Sequence, residues 1–295
     1  MGKWLGQPQT LIFEVRDKVA YITFNRPEKR NAQHIKALQE LQAAVLEADD
    51  LRSVHCIVIQ GAGKDFCAGA DLESGLDTKG PDNQPFDPAD YRARNSFDDD
   101  AWATERSSEM RLIIPRVHKP VIAKVHGNCL AVGTDIALHC DMIIAADDAR
   151  IGFPATRALG SPANHMWLYH VGPQWAKRML MTGDLLLGKD AERIGLVLKS
   201  VPADRLDAEV AELARRIALI EPELQAAHKR IVNLGLELMG AATVQRLAAE
   251  NDARAHLSQA FKTFYIDMKE HGLKEALRRR DEPFGDSVVR FGDRS

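Results

Sequence analysis

The sequence predicts an α/β core followed by an all-helical region, and three observations carry that prediction. Runs rich in β-branched and aromatic residues alternate with apolar patterns of helical period up to about residue 200, small-residue turns join several of them, and from about Asp204 only the helical pattern remains. A soft boundary near 205 separates a core over 1–205 from a helical region over 206–295. The apolar faces of that second part need cover from the core or from a neighbouring subunit.

The elements follow in order. Leu11–Arg16 and Val19–Asn25 read as a hairpin turned at Asp17-Lys18. Asn31 is the expected N-cap of a helix whose Leu38, Leu41, Val45 and Leu46 share a face. Val54–Gln60 is a buried strand, and Phe66-Cys67-Ala68-Gly69-Ala70-Asp71-Leu72 places small residues where backbone can approach a ligand. From about Gly75 to Asp100 the prolines and the acidic run Asp98-Asp99-Asp100 predict a mobile loop, either a spacer or a lid. Order resumes with a helix from about Trp102 to Ile114 and a strand over Val121–Val125. Gly127–Gly133 is a turn leading into a short helix through Asp135, and a strand follows over Asp141–Ala146. A small-residue loop over Gly152–Pro162, a helix near Pro173–Met181 and a helix–strand pair around Asp190–Val201 complete the core.

Composition narrows the function. With 39 Lys+Arg against 42 Asp+Glu in 295 residues, the formal charge of −3 offers no broad basic field for nucleic acid or an anionic membrane. The apolar runs are too short to span a bilayer, and the start of the chain predicts neither secretion nor lipid anchoring. Cys56, Cys67, Cys129 and Cys140 stand apart with no Cys-x-x-Cys pair, which points to a reducing, cytoplasmic setting. No metal-ligand cluster is visible, and no metal is expected.

Three separated segments resemble the crotonase superfamily, which includes enoyl-CoA hydratases and isomerases. They are Asn25–Ala32, the F-x-A-G-x-D-like Phe66–Leu72, and Val125-His126-Gly127 through Gly133-Thr134-Asp135 to Cys140-Asp141; a weaker match runs from Gly272 to Phe284. The resemblance implies a ββα spiral core, a C-terminal helical region serving a homotrimer or homohexamer, and an acyl-CoA substrate whose coenzyme A is the only cofactor-like group. It further implies that the amides of Ala70 and Val132 stabilise a thioester enolate, a task suited to fixed N–H donors and a helix N-terminus. Val132 departs from the family's usual glycine but keeps its N–H. Arg30 is the nearest basic candidate for the coenzyme, since guanidinium can engage phosphate or stack on adenine. By the resemblance Ala68, Asp71 and Leu72 meet the pantetheine and thioester region, and Arg279 in the tail aligns with a lysine directed toward the coenzyme, often across a subunit boundary.

The catalytic pair is altered. Asp135 stands where hydratases carry their first glutamate, as it does in dienoyl-CoA isomerases, and is expected to transfer a proton or orient water. The second glutamate position falls on Ala155, and the further acidic position of dienoyl-CoA isomerases falls on Ala163; neither can move a proton. His126, His139 and His165 are candidate substitutes because imidazole titrates near neutrality, while Arg157 or Asn164 offers contacts to the acyl part. Cys67 and Cys129 lie near these loops and read as small packing residues. Three functions therefore compete: a hydratase/isomerase-type enzyme, an acyl-CoA-binding homologue with little or no catalysis, and a crotonase-fold hydrolase of a carbon–carbon bond using a histidine such as His165.

Overall fold

The computed structural model describes residues 2–73, 90 and 96–291. Strands β1 (Leu11–Arg16) and β2 (Val19–Phe24) form the expected hairpin, with Asp17 and Lys18 both at positive φ in its two-residue turn. Helix α1 (Ile35–Asp50) then leads to β3 (Cys56–Gly61), and α2 (Phe97–Arg116) to β4 (Val121–Val125). A short strand β5 (Asn128–Leu130) and helix α3 (Val132–Ala137) precede β6 (Met142–Ala146). The core closes with β7 (Arg150–Gly152), α4 (Trp167–Thr182), β8 (Leu185–Leu187), α5 (Gly188–Arg193) and β9 (Lys199–Val201). Helices α6 (Leu206–Ala218), α7 (Pro222–Leu238), α8 (Ala241–His256), α9 (Gln259–His271) and α10 (Leu273–Asp281) follow.

The larger sheet has the order β1-β2-β3-β4-β6-β9, parallel from β2 onward, and β5-β7-β8 form a second sheet. Helices cover the parallel strands, so β3 and β4 read as unbroken apolar runs rather than alternating ones; Ile57, Val58, Ile59, Ile122 and Ala123 are fully buried. Because β2, β3, β4 and β6 point the same way, the segments that follow them all emerge at one edge of the sheet. In open parallel sheets that carboxyl edge is where ligands bind.

Several expectations change. Asn31 does not cap α1: His34 does, accepting from the Ala37 amide at 3.2 Å. Asn31 is instead buried at φ 56°, where its side chain accepts from the Arg26 amide and donates to the Ala62 and Asp65 carbonyls. The loop expected over Gly75–Asp100 lies outside the described residues as far as 95, save residue 90, and its last residues are helical. The Ser96 hydroxyl accepts from the Asp99 amide, and Asp98, Asp99 and Asp100 form the first turn of α2, where carboxylates complement the helix dipole. Strands β5, β7 and β8, three residues each, were not anticipated because such short runs carry no readable period. Helix α4 begins earlier than expected and kinks at Gly172, ahead of Pro173.

The C-terminal helices are tied to the core by buried charge. Lys229 on α7 donates to the Ile114 and Lys119 carbonyls and pairs with Asp141 at 2.8 Å. Arg157 pairs with Asp184 and Asp281, bonds Ser287, and stacks on Phe284, thereby fastening the tail after α10. Removing Arg157 leaves Asp184 with Arg178 and Asp281 with Arg280 but cuts the link between Asp184 and the tail, so Arg157→Met is expected to destabilise the protein by about 1–3 kcal/mol. Thermal unfolding together with limited proteolysis near Asp281 checks this; an unchanged Tm contradicts it.

Candidate active site

The site begins with three loops stitched together at the carboxyl edge. After β3, the Asp65 carboxylate accepts from the amide and the side chain of Asn128, at 2.9 and 2.6 Å, while Asn31 from the loop after β2 donates to the Asp65 carbonyl. Cys67 and Cys129 face each other in a parallel bridge, with the Leu130 amide on the Cys67 carbonyl at 2.9 Å. Burial pushes the Cys67 thiol up to about 12, consistent with packing rather than nucleophilic chemistry. Backbone approach is close enough that a Cβ on Gly133 would lie 2.5 Å from the Cys67 carbonyl oxygen, and only glycine fits there.

This stitching leaves particular amides unused. Gln33 bridges the loop through the Gly69 carbonyl and the Asp71 amide, at 2.8 and 2.9 Å, so the Ala70 N–H between them points to the opposite edge. Val132 is the first residue of α3, and its N–H has no intrahelical acceptor. Before it, Ala131 adopts φ 50°, ψ −116°, strain of roughly 1–3 kcal/mol for a residue with a Cβ. The bonds from Ala131 N to the Gly152 carbonyl and from Thr134 Oγ1 to the Ala131 carbonyl hold that turn.

Asp135, one turn into α3, is 2% exposed, and its Oδ1 has no hydrogen-bond partner among the described residues. Burial raises its pKa to about 7, with Arg111 opposing the rise and Asp252 adding to it. Arg30, Ala68, Ala70, Asp71, Leu72, Val132 and Asp135 all line one cleft of about 1690 Å³. Asp71 is anchored there by Arg26 at 2.8 Å. Arg279 lies apart from the cleft lining, pairing with Asp267 and Glu275 on the surface, whereas Lys274 and Arg280 from the same helix line it.

The other candidates separate by geometry. Ala155 lines the cleft and brings no proton-transfer group. His126 faces the Gly63 carbonyl at 3.0 Å; His139 is buried, faces the Asp135 carbonyl at 2.7 Å, and is pushed down to about 4 by desolvation. His165 is not among the residues that line the cleft, and both its backbone amide and carbonyl are held by Gln245. Arg157 is occupied by the tail contacts described above.

Among the cleft residues that sequence reasoning missed are Arg111 on α2, and Asp252 and His256 on α8. His256 sits between Asp100, at 2.6 Å, and Asp252, at 3.5 Å. A signal did exist for the first. Thr104, Ser107 and Arg111 repeat at helical spacing on a buried face, where apolar residues are the norm. The other two come from a helix distant in sequence, and only the fold brings them to the cleft.

The Ala70 and Val132 amides, without a backbone acceptor among the described residues, and the buried Asp135 carboxyl line one cleft at the carboxyl edge of the parallel strands. The family model for enoyl-CoA hydratase/isomerase matches residues 14–286, and the chain belongs to that family, within the crotonase superfamily. It is similar to an enoyl-CoA hydratase from Mycobacterium smegmatis whose crystal structure superposes with a TM-score of 0.85 at 38% identity, covering 95% of each chain. An enoyl-CoA hydratase/isomerase from Xanthobacter autotrophicus Py2 gives 0.83 at 31% identity, covering 94% of this chain and 99% of its own. A crotonyl-CoA hydratase of Syntrophomonas wolfei is 32% identical over 215 residues, 71% of this chain and 75% of that protein. Among the described residues no helix is long and apolar enough to cross a membrane, and no group of three or more ligating side chains is placed to hold a metal.

Proposed function

We propose that the protein processes acyl-CoA thioesters by hydratase- or isomerase-type chemistry. The thioester oxygen accepts from the Ala70 and Val132 amides, which stabilise the enolate as charge moves onto that oxygen. Asp135, in its carboxylate form, takes a proton from the substrate or from a water beside it. Arg30, Ala68, Asp71 and Leu72 border the pantetheine and phosphates, and Arg279 serves a neighbouring protomer of a homotrimer or homohexamer. The exposed apolar side chains of the helical region, such as Ile231, Val232, Leu238 and Met239, support such an assembly because they need cover. The reading needs no metal or redox cofactor, and a cytoplasmic location fits the free cysteines.

The observation that carries this reading is that the Ala70 and Val132 amides and Asp135 Oδ1, none with a hydrogen-bond partner among the described residues, line the same cleft. A panel of enoyl-, dienoyl- and 3-oxoacyl-CoA esters, assayed for turnover and binding, tests it; failure of every coenzyme A ester to bind rejects it. A second reading, acyl-CoA binding with little catalysis, is favoured by Ala155 and predicts binding without turnover across the panel. With Asp135 raised to about 7 and required as carboxylate, kcat/KM is expected to rise through about pH 7 as the acid ionises. A flat profile between pH 5.5 and 8.5 excludes that role.

A further inference from the structure

The cleft contains a cation that the chemistry above does not use. Arg111 is 2% exposed, yet its hydrogen-bond partners are neutral: Nε donates to Asn164 Oδ1 at 2.6 Å and Nη2 to Ser108 Oγ at 3.1 Å. Among the described residues Nη1 has no hydrogen-bond partner, and no ion pair closes directly on the guanidinium. Asp135 and Asp252 act on it only at longer range, and neither caps it. Burial this deep is costly for an arginine without a carboxylate. Asn164 and Ser108 fix the plane of the fork, so its remaining donors are already oriented when a ligand arrives.

The wall around Arg111 is polar. Thr104 and Ser107 precede it on the same helix face, and Asp135 lies within its electrostatic reach. A guanidinium has donors only. A purely hydrocarbon acyl chain would exclude water from Nη1 and return nothing, whereas an acceptor oxygen on the chain would complete it.

We propose that Arg111 is a specificity-determining residue that receives an acceptor oxygen on the acyl chain beyond the thioester, which makes the preferred substrates oxygenated acyl-CoA esters. This rests on the acyl-CoA reading above. A neutral oxygen such as a ketone fits better than a carboxylate. Asp135 lines the same cleft, is coupled to Arg111 and carries partial negative charge near neutrality, which disfavours a second carboxylate there.

Calorimetric binding of pentanoyl-, 3-oxopentanoyl-, 4-oxopentanoyl- and glutaryl-CoA to the full chain tests this. At least one oxo ester is expected to bind about tenfold or more tightly than pentanoyl-CoA, and Arg111→Met is expected to reduce that preference to less than about twofold. Continued binding of pentanoyl-CoA shows that the variant is folded; should it not fold, Arg111→Lys, which keeps the charge but loses the planar fork, is expected to lose most of the preference. Equal affinities in the unsubstituted protein, or a preference that survives removal of Arg111, overturn the proposal. Tightest binding of glutaryl-CoA overturns the choice of a neutral oxygen. If no ester binds at all, the acyl-CoA reading itself fails, a result distinct from the loss of discrimination.

Discussion

Replacing Asp135 by asparagine is expected to lower turnover by about 10²- to 10⁴-fold while acyl-CoA binding persists, and to stabilise the fold at neutral and alkaline pH. Both effects come from the same desolvated carboxyl. Burial raises its pKa from the ordinary aspartate value of 3.8 to about 7, so between those limits the folded protein holds a proton that the unfolded chain has released. The unfolded state then binds fewer protons, and stability declines as pH rises from about 4 to about 7 before levelling off. Asparagine carries no charge to desolvate. The variant should therefore match the unsubstituted protein near pH 4 and exceed it at pH 8, by about 4 kcal/mol. Denaturant midpoints across that range, paired with steady-state kinetics, check both limbs. Retained turnover removes Asp135 from the chemistry; a stability difference that does not vary with pH shows that the carboxyl is not desolvated as described.

Such a gain is what a side chain kept for chemistry should yield when removed, since a residue selected for stability loses it on substitution. Ala131 belongs to the same economy. Its strained φ and ψ at the start of α3 stabilise nothing by themselves, but they set the direction of the amide that follows.

What the sequence revealed divides by the range of the interactions. Hairpin β1–β2 and strand β4 were legible because their period and turn residues are local, and β4 was placed at its observed bounds. The loops read as close-approach turns from their small residues, and Gly133 is such a position, but Ala70, Val132 and Asp135 were singled out only through the resemblance to the crotonase superfamily. Asn31 was misread since an asparagine ahead of a helical pattern looks the same whether it caps the helix or binds a distant loop. The acid run Asp98-Asp99-Asp100 was misread in a related way: it serves as a first helical turn, but its prolines and glycines upstream gave it the character of a loop. Arg111, Asp252 and His256 gain their meaning only through the packing of α2 against α8, which no local pattern encodes.

Gly133→Ala is expected to give the second large effect, because this one methyl group tests whether the two loops must touch. The added Cβ would stand 2.5 Å from the Cys67 carbonyl oxygen and about as close as 3.0 Å to the Cys67 Cβ, and the nearer of these is backbone that cannot rotate aside. The loops must then separate, straining the Leu130–Cys67 bond that joins them at 2.9 Å. Destabilisation of about 1–3 kcal/mol follows from overpacking. A larger functional loss is expected, since Ala70 and Val132 lie on opposite loops and a shared acceptor must stay near 3 Å from both amides; losing one such donor costs about 10²- to 10³-fold in kcat. Asp135 remains in place on α3, so the pH at which activity rises should stay where it was while its height collapses. Ala131→Gly is the matched control: it relaxes the strained turn without bringing the loops into collision, and should cost far less activity than Gly133→Ala. Equal losses from the two substitutions would show that loop separation is not what sets the rate.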